Sequence, residues 1–501
     1  MNRSDWLKNH QRLVDQRGVE LPPTWVAREN TGPIGDELGQ HVHTSGRRRQ
    51  VARRVAGLLA GASEMAVVST FLLADPDVED ALMAAAQRGV RVYVMLASEA
   101  RLGREESDGE FDRRVLSEHK EMLKRLAGHV LFRSAPHFHA KVVVVDPQSN
   151  PRGILLTANL TREALERNEE LAVDLTAQEA RDAASLLGWA MWETAEHEMV
   201  DPADRFRAVK PMGSLEPPAI ELPATTPERT ALRQRALELV DGARDRLVVA
   251  SFGWDAEHPL VRRLIERARE GVEVVVLARL RPSVMPALIR LSEAGATVYG
   301  FRWLHAKAIW SDQGEALVMS ANLQPEGLDR GLELGLELKG TRAEELHGRL
   351  RSWAAAARWK LEHGPSLGDV RGSAKVWNDR EFVDIEVVPS LEVSLGEHVA
   401  RSADDLSVEP PALPSNGALP RPAHELVCTW AVTAPTLHRK AKEVFRAAKG
   451  DEKRRSYEPP VFKDRGRTVV AVRHADELHA AKRLLGELSA DAVVVRAEGD
   501  R

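Results

Sequence analysis

One pattern of apolar and polar positions is written twice along this chain. "GASEMAVVSTFLL" from Gly61 and "GARDRLVVASFGW" from Gly242 are apolar runs of strand length behind a polar turn. "AAQRGVRVYVMLA" and "RAREGVEVVVLAR" then each give a helix end, a glycine (Gly89 or Gly271) and another strand. Each copy continues through a helix, further apolar strands and a long closing helix. The closing helices, "AQEARDAASLLGWAMWETAEHEM" and "RAEELHGRLRSWAAAARWKLEHG", carry one stripe of alanine, leucine and tryptophan. Trp189, Trp192, Trp353 and Trp359 are expected to pack there. Strands alternating with helices predict α/β sheets covered on both faces, and a repeat of this length predicts a duplicated domain.

The expected organisation follows from these runs and from what interrupts them. Residues 1–45 form an N-terminal extension, 46–200 the first α/β domain and 229–364 the second. Between them, 201–228 contains "KPMGSLEPPAIELPATTPERT", whose prolines and lack of period mark a linker. Residues 365–424 form a connector with strand-like "EFVDIEVVPSLEVSL" and proline-rich "VEPPALPSNGALPRP". Residues 425–501 form a small α/β accessory module, where "RTVVAVRHADELHAAKRLLGELSADAVVVRAEG" reads strand, helix, strand. The first domain also carries an extra polar segment, "SEARLGREESDGEFDRR", expected on the surface at the rim of a site.

Composition narrows the setting rather than the chemistry. With 501 residues and 43% hydrophobic content, the chain reads as an ordinary globular protein. It lacks a signal-like N-terminal run and any stretch long enough to cross a bilayer, so cytoplasmic location without integral membrane association is expected. The single cysteine, Cys428, permits no intramolecular disulfide or cysteine zinc cluster and reads as a small core residue. A net charge of -5, well mixed along the chain, is uninformative about partners. Two basic clusters suit either phosphate backbones or solvated surface: Arg47, Arg48, Arg49, Arg53 and Arg54, and the stretch from Arg439 to Arg467. His41 and His43 in "HVHTSG" read as a polar loop, since no ligand set accompanies them.

The chemistry lies in "PHFHAKVVVVDPQSNPRGILLTANLT" and "FRWLHAKAIWSDQGEALVMSANLQ". Both contain His-x-Lys, four residues, Asp, a turn, and a strand ending in Thr or Ser, Ala, Asn and Leu. Strand alternation puts His139 with Lys141, and His305 with Lys307, on one face. A turn centred near Gln313 is expected to set Lys307 opposite Ser320 and His305 opposite Asn322. The first copy, with a turn three residues longer, would gather His139, Lys141, Thr157 and Asn159 likewise. Asp146 and Asp312, at the strand ends, read as structural turn residues. Glu170 follows Asn159 at the spacing by which Glu333 follows Asn322, which suits carboxylates that orient imidazoles. Paired imidazoles with lysine, amide and hydroxyl donors suit attack on a phosphate diester, and a pair sharing protons predicts a bell-shaped pH profile.

These residues resemble the phospholipase D superfamily, whose signature is His-x-Lys-x4-Asp followed by a Ser-x-Asn strand, twice per site. The resemblance covers most of residues 46 to 364. It implies two tandem phospholipase D-like α/β domains, each a mixed sheet between helices, packed about a pseudo-two-fold axis as an internal dimer. It also implies a covalent phosphohistidine and no metal or other cofactor. His139 would be the nucleophile, and His305 the acid that protonates the leaving group and then acts as base for water. Lys141, Lys307, Asn159 and Asn322 would hold the phosphate, with Thr157 and Ser320 in support, and Glu170 and Glu333 would fix the imidazoles across the halves. Leu156-Thr157 and Met319-Ser320 stand where the family usually has Gly-Ser, and the hydroxyl survives in both. The favoured reading is a nuclease acting on DNA rather than RNA, in prokaryotic antiviral defence or repair, with an ATPase or helicase partner docked on the C-terminal module. The competing readings are a phosphatidyltransferase of the cardiolipin synthase type and a non-catalytic nucleic-acid-binding scaffold.

Overall fold

In the computed structural model the strand Val142–Val145 is an unbroken valine run because both its faces are covered. Val142 and Val144 join a core shared by both copies of the repeat. Val143 and Val145 join a second core with residues of the helices Gln50–Ala60, Pro76–Gln87 and Arg113–Leu126. The structure describes residues 23–28, 39–98, 102, 113–201 and 205–363. Beyond these it describes the backbone of strands 372–377, 382–387, 399–400, 424–428, 461–464, 467–472 and 492–496. The chain divides into two units, residues 30–358 and the segments on either side of them.

Within 30–358 the repeat appears as two mixed sheets of matching order. The first runs Leu131–Ala135, Arg91–Ala97, Met65–Ser69, Val142–Val145, Arg152–Leu156, Leu171–Leu175 and Val42–Thr44. The second runs Thr297–Phe301, Glu273–Arg279, Arg246–Ser251, Ala308–Ser311, Glu315–Met319, Glu333–Lys339 and Ala224–Thr226. In each, the first three strands are parallel and the rest pair antiparallel. The mixed α/β architecture is thus the expected one.

The closing helices meet at the junction between these lobes. Ala180, Ala183, Leu186, Leu187 and Ala190 of Ala177–Glu193 share one core with Ala343, Leu346, Leu350 and Trp353 of Thr341–Ala356. The first helix starts on a capping box between Thr176 and Glu179, and Arg342 of the second lobe also donates to Glu179 at 2.8 Å. Glu345 accepts from the N–H groups of His41 and Val42 at 3.0 and 2.9 Å.

Several expectations need correction. The closing helices are shorter than their stripes, ending at Glu193 and Ala356 and giving way to the strands His197–Met199 and Trp359–Glu362. Trp192 is 43% exposed rather than packed in the core, with Arg133 over its ring. The proline-marked linker contributes the strand Ala224–Thr226 to the second sheet, and "HVHTSG" contributes Val42–Thr44 to the first. The hairpin register is one residue away from the expected one. The three-residue loop after Ser311 pairs Ser311 with Glu315, so the N–H of Met319, not Ser320, meets the carbonyl of Lys307. In the first lobe the N–H of Leu156 meets the carbonyl of Lys141 in the same way.

In the other unit, Thr24–Ala27 pairs antiparallel with Trp359–Glu362 and Gly372–Trp377, and Gly372–Trp377 pairs with Phe382–Val387. A separate antiparallel sheet contains Val399–Ala400, Ala492–Arg496, His424–Cys428, Arg467–Val472 and Val461–Asp464. The expected helix of the accessory module, the proline-rich connector, most of the basic stretch 439–467 and most of the polar insertion lie outside the described residues.

Asp146 and Asp312 each accept backbone N–H groups from the start of the first strand of their lobe. Asp146 accepts from the N–H groups of Ser63, Glu64 and Met65 and from the Ser63 hydroxyl, tying the hairpin turn to the start of the first strand. Asp312 accepts from Arg244 and Asp245 at the matching place. Burial opposes ionisation of Asp146, but these N–H groups outweigh it and hold the carboxyl below its usual range. Replacing Asp146, 1% exposed, by alanine is expected to cost about 2–4 kcal/mol in chemical denaturation. The depressed native pKa means that this stabilisation is present above the unfolded-chain value and fades as pH falls through the lower native one.

Candidate active site

Each motif histidine is seated on the opposite lobe by its own backbone. The N–H groups of His139 and Ala140 donate to the carbonyl of Leu332 at 3.1 and 2.9 Å, and those of His305 and Ala306 to the carbonyl of Glu169 at 3.0 and 2.9 Å. The residue after each accepting carbonyl is a glutamate at the head of a strand. Docking the chain in this way delivers that carboxylate to the ring: His139 Nδ1 lies 2.7 Å from Glu333 Oε1, and His305 Nδ1 lies 2.8 Å from Glu170 Oε1. A carboxylate partner favours the Nδ1–H tautomer and leaves Nε2 with the lone pair.

The glutamates are held in turn. The Thr157 hydroxyl donates to Glu170 Oε2 at 2.7 Å, and the Ser320 hydroxyl donates to Glu333 Oε2. Each hydroxyl also accepts a backbone N–H, from Leu171 or Leu334. Both side chains are fully buried. Their expected place beside the phosphate is therefore corrected: the one-residue change of register turns them under the imidazoles, where they fix the carboxylates.

The two lysines are fully buried as well. Lys141 Nζ donates to the carbonyl of His139 at 2.8 Å, and Lys307 Nζ to that of His305 at 2.6 Å. Lys307 Nζ also lies 3.0 and 3.1 Å from the ring nitrogens of His305. Burial pushes Lys307 well down from the usual lysine range, against the attraction of Glu170. His305 is pushed down to about 4 by burial and by Lys307, although Glu170 pulls the other way, so this imidazole is neutral at pH 7. Glu170 stays ionised because His305, Lys307 and Thr157 outweigh its burial.

A cavity of about 380 Å³ opens over this apparatus, lined by His139, His305, Asn159, Asn322 and Glu333. The Oδ1 atoms of Asn159 and Asn322 are buried without a hydrogen-bond partner, and both residues line the cavity. Gly327 supports Asn322 by close approach, since a Cβ there would fall 2.7 Å from the Asn322 carbonyl oxygen.

Further residues at the cavity were not singled out from the sequence. Phe71 and Phe252 set ring edges against His139 and His305, with centroids 5.3 and 4.8 Å apart. They occupy matching positions of the repeat, so the duplication itself carried the signal. Arg167, Arg279 and Arg281 also line the cavity. Arg279 and Arg281 align with Ala97 and Glu99 of the first copy, and this lack of symmetry hid them. Burial and the neighbouring Arg281 push Arg279 down to about 10, which leaves it charged at neutral pH.

Residues 55–187 match the family model described as "Cardiolipin synthase, PLD-like domain", and they contain the first motif and its glutamate. Residues 55–187 thus contain a phospholipase D-like domain. Among curated relatives, it is 28% identical over 138 residues to the DISARM protein DrmC of Bacillus paralicheniformis. That match covers 24% of this chain and 58% of the relative's length. Among solved structures, phosphatidylserine synthase of Haemophilus influenzae is similar over 72% of this chain and 92% of its own, with a TM-score of 0.49 and 11% identity. Nuc of Salmonella typhimurium, a phospholipase D family member, is similar over 34% of this chain and 98% of its own, with a TM-score of 0.26 and 18% identity.

The titration of His305 gives a test independent of substrate identity. Glu170 raises the pKa of His305 by its charge, so Glu170→Gln should lower that pKa further. The expected result is a His305 ring resonance that titrates near 4 in the wild type and at lower pH in the variant.

Proposed function

We propose that the chain is a metal-independent phosphodiesterase that cleaves DNA through a phosphohistidine intermediate. The observation that carries this reading is the crossed pair: two imidazoles lining one cavity, each held at Nδ1 by a carboxylate of the opposite lobe. Such an arrangement suits two Nε2 atoms acting on a single phosphate.

In the proposed reaction His139 Nε2 attacks phosphorus, a P–N bond forms and the P–O bond to the leaving group breaks. His305 donates a proton to the departing oxygen. Water then enters on the vacated side, gives a proton to His305 and attacks phosphorus, and the P–N bond breaks to restore His139. Asn159 and Asn322 donate to the phosphoryl oxygens. Lys141 and Lys307 act from behind the rings through their charge, and Arg279 and Arg281 supply positive charge at the wall. Because burial keeps His305 neutral at pH 7, its acid role depends on the arriving diester, whose negative charge favours protonation. The active species carries one proton shared by the pair, hence a bell-shaped profile of kcat/KM.

Similarity to the DISARM protein DrmC supports the antiviral-defence setting expected from the sequence. The matched family model is named for cardiolipin synthase, and this favours phosphatidyl transfer as the second reading. Among the described residues no helix is long and apolar enough to cross a membrane. Purified protein in EDTA, offered single-stranded DNA, duplex DNA, RNA and phosphatidylglycerol vesicles, separates the two. The proposal expects DNA cleavage, and lipid turnover without nucleic-acid cleavage would replace it with the second reading.

A further inference from the structure

Beside the histidine cavity lies a larger one of about 760 Å³, and the two share Glu163, Arg167 and Asn168 on their walls. The second cavity is otherwise lined by Ser45, Gly46, Arg47, Arg162, Glu166, Glu169 and Trp303. Trp303 carries three guanidinium groups around its ring: Arg167 at 4.0 Å, Arg302 at 4.9 Å and Arg279 at 5.3 Å from the centroid. Arg281 and Arg279 in turn lie 4.1 and 5.2 Å from the centroid of Phe252, whose edge meets His305. Arginine and aromatic rings therefore alternate without a break from the reacting imidazole into the second cavity.

We propose that this second cavity holds the nucleotides next to the scissile phosphate of a single-stranded nucleic acid, with a base on the Arg167–Trp303 stack and a backbone phosphate near Arg47. The proposal rests on reading the histidine cavity as a phosphodiesterase site and adds the substrate's form to it. Bases stack on aromatic faces and on guanidinium planes regardless of sequence, while arginines track the backbone. A lipid would need an apolar wall for its acyl chains, and here Trp303 is the single large apolar surface among the lining residues. A duplex would have to bring its backbone down to imidazoles whose side chains are only 12–13% exposed, whereas a single strand can enter.

Of the three glutamates on the same wall, two are offset, while Glu163 Oε2 is buried without a hydrogen-bond partner. Glu166 is paired with Arg162 at 3.1 Å and Arg49 at 3.5 Å. Burial, helped by the neighbouring Glu170, pushes Glu169 up to about 7, so it is only partly charged at neutral pH. Of the basic cluster noted in the sequence, Arg49 is held by Asp75 and Asp77 and Arg54 by Asp174, while exposed Arg47 lines the cavity.

The test uses the full chain and the variants Trp303→Leu, Trp303→Phe and Arg47→Glu, the last at an exposed position where folding is not at risk. Binding of a labelled single-stranded oligonucleotide is read by anisotropy in a His139→Ala background, and KM in the active background. Trp303→Leu and Arg47→Glu should each weaken binding about tenfold, and Trp303→Phe should recover most of the loss. Bis(p-nitrophenyl) phosphate, too small to reach beyond the histidines, should be hydrolysed by Arg47→Glu within about twofold of wild type. Unchanged oligonucleotide binding, an equal loss on the small diester, tighter binding of duplex than of single strand, or Trp303-dependent binding of phosphatidylglycerol vesicles instead would each overturn the proposal. Failure of the wild type to hydrolyse any diester would count against the catalytic reading alone, because the binding arm does not require turnover.

Discussion

His139→Ala and His305→Ala should each lower kcat/KM for phosphodiester hydrolysis by at least about 10³, with little further loss in the double variant. In the proposed reaction one ring forms the covalent bond and the other moves the proton, so either deletion stops the same sequence of steps. Alanine at 139 also removes the ring bonded to Glu333, a 1% exposed carboxylate, and some destabilisation is expected. His139→Gln is the control. Its amide can donate to Glu333, so it should unfold closer to the wild type while being equally inactive. Steady-state kinetics on a small diester, with thermal unfolding of each variant, checks both statements. Near-normal turnover in either alanine variant would contradict the two-histidine account.

Glu333→Gln is expected to have the second-largest effect, a fall in kcat on the order of 10² or more with KM changed by less than about threefold. In the proposed reaction the carboxylate orients His139 from the other lobe rather than binding the diester. Its loss should therefore act on the chemical step rather than on binding. Ser320→Ala removes only the hydroxyl that steadies Glu333 and should cost about tenfold or less. If Ser320→Ala raised KM strongly while Glu333→Gln did not lower kcat, the serine would belong beside the phosphate, as the sequence first suggested.

The duplicated chemistry was legible because it is local. His-x-Lys, the asparagine and the following glutamate keep fixed spacing in both copies, and the shared core preserves the matching strand order. Register was less legible. Whether Thr157 and Ser320 face the cavity or the glutamates depends on a single residue of hairpin slip, set by the loop between Val145 and Arg152 for Thr157 and by the loop centred on Gln313 for Ser320. The lysines read as cavity residues because charge suggests exposure, yet the backbone carbonyls of His139 and His305 give each ammonium a buried acceptor. Helix ends were misjudged because the apolar stripe of a closing helix continues into strands such as Trp359–Glu362, and an apolar run does not state its own period. Arg279, Arg281 and Trp303 stayed hidden because their grouping around one site exists only after folding, and Arg279 and Arg281 have no basic counterpart in the first copy to draw attention to them.

The most direct test of the central claim is to trap the intermediate. His305→Ala, mixed with a 32P-labelled diester in EDTA and quenched at alkaline pH, should retain label on the peptide that carries His139. Without the second imidazole, water attack is slowed and the P–N bond persists. Label on the His305 peptide of His139→Ala alone would reverse the roles. Label on neither histidine, with the diester still cleaved, would contradict covalent catalysis by this pair.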